Sequence, residues 1–175
     1  MDNVTETGKK HEVTQTTVLQ DVLQLLGKIA IVLAVFAILF LFVFGMHRTE
    51  DLSMSPALKA GDLAVFYRLD KNYIASDVIV LKYNGETQVR RIIAIGGDTV
   101  NITEQGLEVN GALVERDETF MLYEDGPDFP IALEQGQVFV LGDNRRDAID
   151  SRMYGAVNIK DTMGTVMTVI RMRNI

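Results

Sequence analysis

The 175-residue sequence contains no cysteine and only two histidines. Without thiols no disulfide can staple the fold, and nothing ties the chain to an oxidising compartment or bars it from one. His11 and His47 stand too far apart to share a metal, and no carboxylate cluster has ligand spacing, so neither metal nor cofactor is expected. Positive charge is scarce: 17 Lys and Arg against 24 Asp and Glu leave a formal net charge of −7, which argues against nucleic acid as a partner. Internal repeats and low-complexity tracts are absent as well.

Charge of either sign is missing from residues 29–46, which are Leu, Ile, Val, Phe and Ala almost throughout. At 1.5 Å per residue this run reaches about 27 Å, close to the roughly 30 Å of bilayer hydrocarbon. Leu25, Leu26 and Gly27 extend it past Lys28, whose long stem can snorkel to the interface. A cleavable leader would be shorter, nearer the N-terminus and followed by a small-x-small site, which is lacking before His47 and Arg48. The expected organisation is a cytoplasmic tail at 1–24, a transmembrane anchor at 25–46 and one extracytoplasmic domain at 47–175. Lys9, Lys10 and Lys28 before the span against Arg48 just after it place the N-terminus in the cytoplasm by the positive-inside rule. The polar stretch 1–17 is expected to be disordered. A cysteine-free exported domain would suit a Gram-positive cell membrane.

Beyond the anchor, strand patterns dominate and predict a mainly β, antiparallel domain. Residues 62–68 form one candidate strand; 77–83 and 86–93 flank Asn84-Gly85, the strongest short hairpin signal. A second hairpin pairs 99–103 with 107–110 across Glu104-Gln105-Gly106, and Asn110-Gly111 marks the next turn. Residues 137–141 and 164–171, rich in Val, supply later strands. The stretch 117–134, with Pro127 and Pro130, reads as a long surface excursion.

Three short motifs lie on this frame. Ser53-Met54-Ser55-Pro56, followed by Leu58 and Gly61-Asp62, comes about seven residues after the apolar run. Arg90-Arg91-Ile92-Ile93 with Gly97-Asp98 follows the first hairpin. Gly142-Asp143-Asn144-Arg145 and Asp150-Ser151-Arg152 follow a late strand. Each alone is weak. Together, in this order after one N-terminal anchor, they resemble the type I signal peptidases, serine proteases of family S26 that use a Ser and Lys dyad, over nearly the whole chain. The resemblance implies a β-rich catalytic domain on the outer leaflet whose serine, here Ser53 beside Met54, attacks the carbonyl at the end of a signal peptide. A lysine from a later strand acts as base, and small side chains before the cut fit shallow apolar pockets.

Three positions depart from that pattern. Arg90 stands at the general-base lysine; a lysine can work only when neutral, whereas a guanidinium with pKa above about 12 cannot become a base. Lys82, across the hairpin near Thr87 or Gln88, sits too close to the turn to replace it. Ala148 stands where the family has a serine that orients the lysine. Asp51 stands two residues before the nucleophile, at a glycine or at a serine that helps stabilise the oxyanion, and a carboxylate there would repel the developing charge. A salt bridge between Asp51 and Arg90, within about 6 Å, is expected across this site.

Asp143, Asn144, Arg145, Asp150, Ser151 and Arg152 remain and can support the scaffold around an intact groove. The chain therefore resembles the catalytically degenerate peptidase-like proteins of streptococcal pilus loci. That resemblance implies a membrane-anchored pseudoenzyme acting as assembly factor or chaperone, with exported preproteins or pilin subunits, and a sortase, as partners. The alternative is an active signal peptidase cleaving preproteins during protein secretion. A self-cleaving repressor-type protease, which resembles the same fold, fits poorly with a membrane span and no DNA-binding region.

Overall fold

The computed structural model describes residues 12–116, 123 and 125–171. The expectations for residues 1–11 and for 117–122 lie outside them. The chain divides into two compact units, residues 1–42 and 43–175.

The first unit is the helix α1, Glu12–Val43, of which Val18–Val43 is long and apolar enough to cross a membrane. Residues 18–42 are all exposed. A helix that is exposed along residues 18–42 and apolar on every side suits lipid as its solvent, since a soluble surface helix would carry a polar face. The helix begins six residues inside the stretch expected to be disordered. Once an apolar helix has nucleated, adding residues at its end needs only propagation, which polar residues such as Glu12 and Gln15 tolerate.

At the other end the helix stops at Val43, three residues before the apolar run is exhausted. Phe44–Arg48 instead forms strand β1, antiparallel to β2, Leu63–Tyr67, with Phe44 opposite Tyr67 and Arg48 opposite Leu63. Gly45 explains the tight fit: a Cβ there would lie 2.2 Å from the Phe66 ring. Pairing along five residues supplies backbone partners that the sequence pattern, read as apolarity alone, does not reveal.

The second unit is mainly β and antiparallel, as expected. Its larger sheet also contains β3 (Val78–Tyr83), β4 (Glu86–Ile95), β9 (Gln137–Leu141), β10 (Val157–Asn158) and β11 (Thr162–Ile170). The order is β1-β2-β11-β3-β4-β9-β10. A four-stranded sheet holds β5 (Thr99–Thr103), β6 (Gly106–Val109), β7 (Ala112–Glu115) and β8 (Ile131–Ala132), ordered β7-β6-β5-β8. Asn84-Gly85 and Asn110-Gly111 turn with positive φ at both residues, which their side chains tolerate and which matches the twist of the hairpins they close. The short strands β7, β8 and β10, the one-turn helix α2 (Ser151–Tyr154) and a 3₁₀ turn at Ile159–Asp161 were not legible, because two to four residues carry no periodicity.

Three apolar clusters hold the sheets. Ala94, Phe139 and Leu141 meet Val100, Ile102 and Leu107 of the smaller sheet; Ile79, Leu81, Ile92, Val138 and Val140 pack with Tyr73 and Val157; Met54 and Leu58 pack on Ala64, Phe66, Val80 and Val89. The last cluster matters most here, because it ties the segment after β1 to the sheet. At Gly164, φ is +146° and a Cβ would lie 1.9 Å from the Tyr67 carbonyl oxygen. Gly164→Ala should therefore cost roughly 2–4 kcal/mol through backbone strain and forced separation of β11 from β2, read as a lower denaturant midpoint.

Candidate functional site

Ser53 lies in the turn that follows β1. Asp51 builds that turn: its Oδ1 accepts from the Ser53 backbone N–H at 3.2 Å and from the Ser53 hydroxyl at 2.7 Å. Met54 is the anchor, 1% exposed within the Val80 and Val89 cluster. The Ser53 carbonyl accepts from the Asn144 backbone N–H at 2.9 Å, and a Cβ on Gly142 would come within 2.7 Å of the same carbonyl oxygen. The serine is thus pinned from three sides and is 0% exposed.

Arg90 reaches it from β4. The hairpin register is continuous, with Val78 opposite Arg91, Ile79 opposite Arg90 and Lys82 opposite Thr87. Strand β9 pairs with β4 only from Arg91 onward, where Leu141 is the partner. Among the described residues no strand therefore pairs with 86–90 on the β9 side, and the Arg90 side chain curls over that edge. Its Nη1 donates to the Val89 carbonyl at 2.6 Å and to the Ser53 hydroxyl oxygen at 2.7 Å; Nε and Nη2 donate to the Ile149 carbonyl at 3.0 and 2.9 Å. Nη2 also faces Asp51 Oδ2 at 4.0 Å, so the expected ion pair is present, at the outer limit of such contacts. Arg90 is 2% exposed while the Asp51 side chain is 57% exposed.

The chemistry follows from the donor and acceptor inventory. The Ser53 hydroxyl gives its single proton to a carboxylate and receives a hydrogen bond from a guanidinium. The guanidinium has no lone pair with which to take a proton, and a carboxylate is a far weaker base than a neutral amine. The Ser53 backbone N–H, a donor of the type that oxyanion holes use, is directed at Asp51. Lys82 is exposed, lies on the opposite face of the hairpin from Arg90 and does not line the cavity beside it.

The late motif surrounds this cluster as scaffold. Asp150 and Arg152 form a buried pair, with Nε to Oδ1 at 2.8 Å and Nη2 to Oδ2 at 3.0 Å, and Asp150 also accepts from the Gly142 backbone N–H at 3.0 Å. Asp150 caps α2 by accepting from the Arg152 N–H. Ser151 accepts from the Val140 N–H at 3.0 Å, locking α2 onto β9. Asn144 holds Asp147 and the Leu52 carbonyl, and Arg145 bonds the Gly142 carbonyl and pairs with Glu115 of β7 at 2.6 Å. Asp143 points elsewhere, into a two-pronged pair with Arg91 at 2.7 Å in both contacts, which holds the Arg91 guanidinium further above its already high pKa. Ala148 is buried, and its Cβ is close to where a Cβ of Gly142 would stand. Ala148 offers Arg90 no hydroxyl, and the next carbonyl, that of Ile149, takes the guanidinium instead.

Sequence reasoning missed the walls of the site. A cavity of about 590 Å³ opens beside Arg90, lined by His47, Thr49, Glu50, Asp51, Glu86, Thr87, Gln88, Val89, Asp147 and Ile149. The two-residue period of β4 was a usable signal, since it places 86, 88 and 90 on one face. Burial holds the His47 imidazole below its ordinary 6.5, with the charges of Glu50 and Asp51 opposing. A depressed folded pKa means that the unfolded chain binds the proton more readily, so stability is full above about pH 6.5 and declines as pH falls toward the folded value. Thermal unfolding between pH 7.5 and 5 should show wild type losing Tm relative to His47→Gln as the pH drops through that window.

The family described as "Signal peptidase, peptidase S26" matches residues 22–171. Signal peptidase I of Bacillus caldolyticus is 33% identical over 155 residues, covering 78% of this chain and 84% of that protein. Signal peptidase I S of Bacillus subtilis (strain 168) is 33% identical over 155 residues, 78% of this chain and 83% of that protein. Signal peptidase I U of the same strain is 28% identical over 179 residues, covering 94% and 92%. Among solved structures, a signal peptidase I from Enterococcus faecalis V583 gives a TM-score of 0.44 at 25% identity, over 55% of this chain and 97% of that one.

Proposed function

Because the chain belongs to the signal peptidase family S26, we propose that it is a membrane-anchored signal peptidase-like protein that receives segments of exported proteins and does not cut them. One observation carries this reading: the Ser53 hydroxyl is held between the Arg90 guanidinium and the weakly basic Asp51 carboxylate, with no amine base beside it among the described residues. Asp51 adds to it by occupying the Ser53 N–H. Binding capacity has separate support, since the unpaired edge of residues 86–90 borders the cavity, and an extended peptide can add to such an edge by backbone hydrogen bonds.

The apolar helix and the membrane-bound work of signal peptidases support an anchored protein, with the N-terminus cytoplasmic and the β domain outside. The likeness to degenerate members of pilus loci extends the proposal to an assembly factor or chaperone that presents pilin subunits to a sortase. An active peptidase is the second reading, favoured by relatives that are themselves called signal peptidase I.

Full-length protein in detergent, incubated with a preprotein or pre-pilin, separates the two. We expect no cleavage at the signal site and unchanged cellular function in Ser53→Ala, with folding stability lowered by about 1–3 kcal/mol because the buried Arg90 loses one acceptor. Cleavage that disappears in Ser53→Ala would sink the non-catalytic reading.

A further inference from the structure

Four carboxylates, Glu50, Asp51, Glu86 and Asp147, line the cavity beside Arg90. Arg90 faces Asp51 at 4.0 Å, which leaves Glu50, Glu86 and Asp147 without a cation of their own. The Arg90 guanidinium is already bonded to Ser53, Val89 and Ile149, and burial favours the neutral form of His47. Among the described residues no ion pair uses Glu50, Glu86 or Asp147. This lining differs from the shallow apolar pockets that suit small side chains.

A second feature points to an occupant. Gln88, between Glu86 and Arg90 on the same strand face, is 8% exposed, and its Oε1 is buried without a hydrogen-bond partner. Buried amide oxygens left without a donor are uncommon, because each costs about 1–3 kcal/mol. The terminal amide torsion is soft, so a modest turn presents this oxygen to a donor entering the cavity. An occupant rich in N–H groups and positive charge would satisfy both features at once.

We propose that this cavity selects an extended peptide segment bearing a lysine or arginine, with the cation held among Glu50, Glu86 and Asp147 and an N–H donor on Gln88 Oε1. The proposal deepens, and rests on, the reading that the site receives a segment of an exported protein uncut. The open edge of residues 86–90 supplies the backbone contacts, and the carboxylates supply the choice among sequences.

The test titrates full-length protein, in nanodiscs of uncharged phosphatidylcholine, with fluorescent alanine-rich peptides that carry Lys, Met or Glu at one central position. The Lys peptide should bind at least about tenfold tighter than the Met peptide, with the Glu peptide weakest. That preference should shrink as salt rises from about 0.05 to 0.3 M, since the carboxylates are partly open to screening. In Glu50→Gln/Glu86→Gln, two exposed positions whose replacement should leave Tm within a few degrees, Lys and Met peptides should bind alike. Equal binding of all three peptides to wild type would overturn the charge selection while leaving the receptor reading standing. Absence of binding by any of them would overturn the receptor reading itself. A Lys preference that persists in the folded double variant would remove the assignment to these carboxylates.

Discussion

On the proposed non-catalytic reading, Arg90→Lys, Ala148→Ser and Asp51→Gly combined should introduce preprotein cleavage, while each single change stays at the wild-type baseline. The three positions act in series. Arg90→Lys introduces a side chain that can lose its proton, and a site only 2% exposed would push an ammonium toward its neutral form. With Asp51 still present, however, that ammonium has a carboxylate within reach, which favours the charged form and undoes the gain. Asp51→Gly removes this charge and frees the Ser53 N–H for a developing oxyanion. Ala148→Ser adds the hydroxyl that fixes the new amine. A positioned base is worth about 10²–10⁴ in rate and an oxyanion donor about 10²–10³, and members of one catalytic unit contribute non-additively. The triple variant should therefore exceed wild type by about 10³-fold or more in a gel assay of preprotein cleavage, and the added Ser53→Ala should return it to baseline. A triple variant that folds and binds preprotein yet cuts nothing would shift the blame from these positions to the shape of the cavity.

The largest loss of stability should come from Asp150→Ala, at a residue that never meets a substrate. Asp150 is 0% exposed and Arg152 2%, and the carboxylate also holds the Gly142 and Arg152 N–H groups. Removing it leaves a guanidinium in the interior without its carboxylate and two backbone donors without their acceptor. Breaking a buried pair in this way typically costs about 3–5 kcal/mol, out of a total near 5–15 for a domain. Chemical denaturation should show a large drop in midpoint. Asp150→Ala/Arg152→Met should recover part of it, because the buried guanidinium, which keeps the Arg145 and Ala148 carbonyls, loses the carboxylate that balances its charge. Asp143→Asn is the comparison: its pair with Arg91 is 30% and 15% exposed, so about 1–2 kcal/mol is expected. Gly142 and Asn144 brace the Ser53 carbonyl, so Asp150→Ala should also loosen the site even where the domain survives.

Much of the fold was legible because its signals are local. Strands β2, β3, β5, β6, β9 and β11 each fall within two residues of expectation at either end, since alternation and Asn-Gly turns act over a few residues. β1 was hidden inside an apolar run that reads equally as helix, and β7, β8 and β10 are too short to show a period. At the site, Ser53, Asp51 and Arg90 were expected together and are together. Asp143 and Arg145 were grouped with them by motif, but they pair with Arg91 of the second motif and with Glu115, on a strand that no motif names. The acidic cavity went unseen because its walls come from three separate segments of the chain, residues 47–51, 86–90 and 147–149.

By itself the sequence determined an apolar segment long enough to span a bilayer and a mainly antiparallel β domain after it, both from residue identity and short spacing; the resemblance to the family implied that Arg90 stands at the base position. Only the tertiary structure decided what the arginine does. Strand β9 leaves β4 after Leu141, which opens the edge at residues 86–90, and over that edge Arg90 bends back to the serine 37 positions earlier, whose hydroxyl already donates to Asp51. Contacts of that range arise from which strand edges pair and which stay open, and strand alternation carries no record of that.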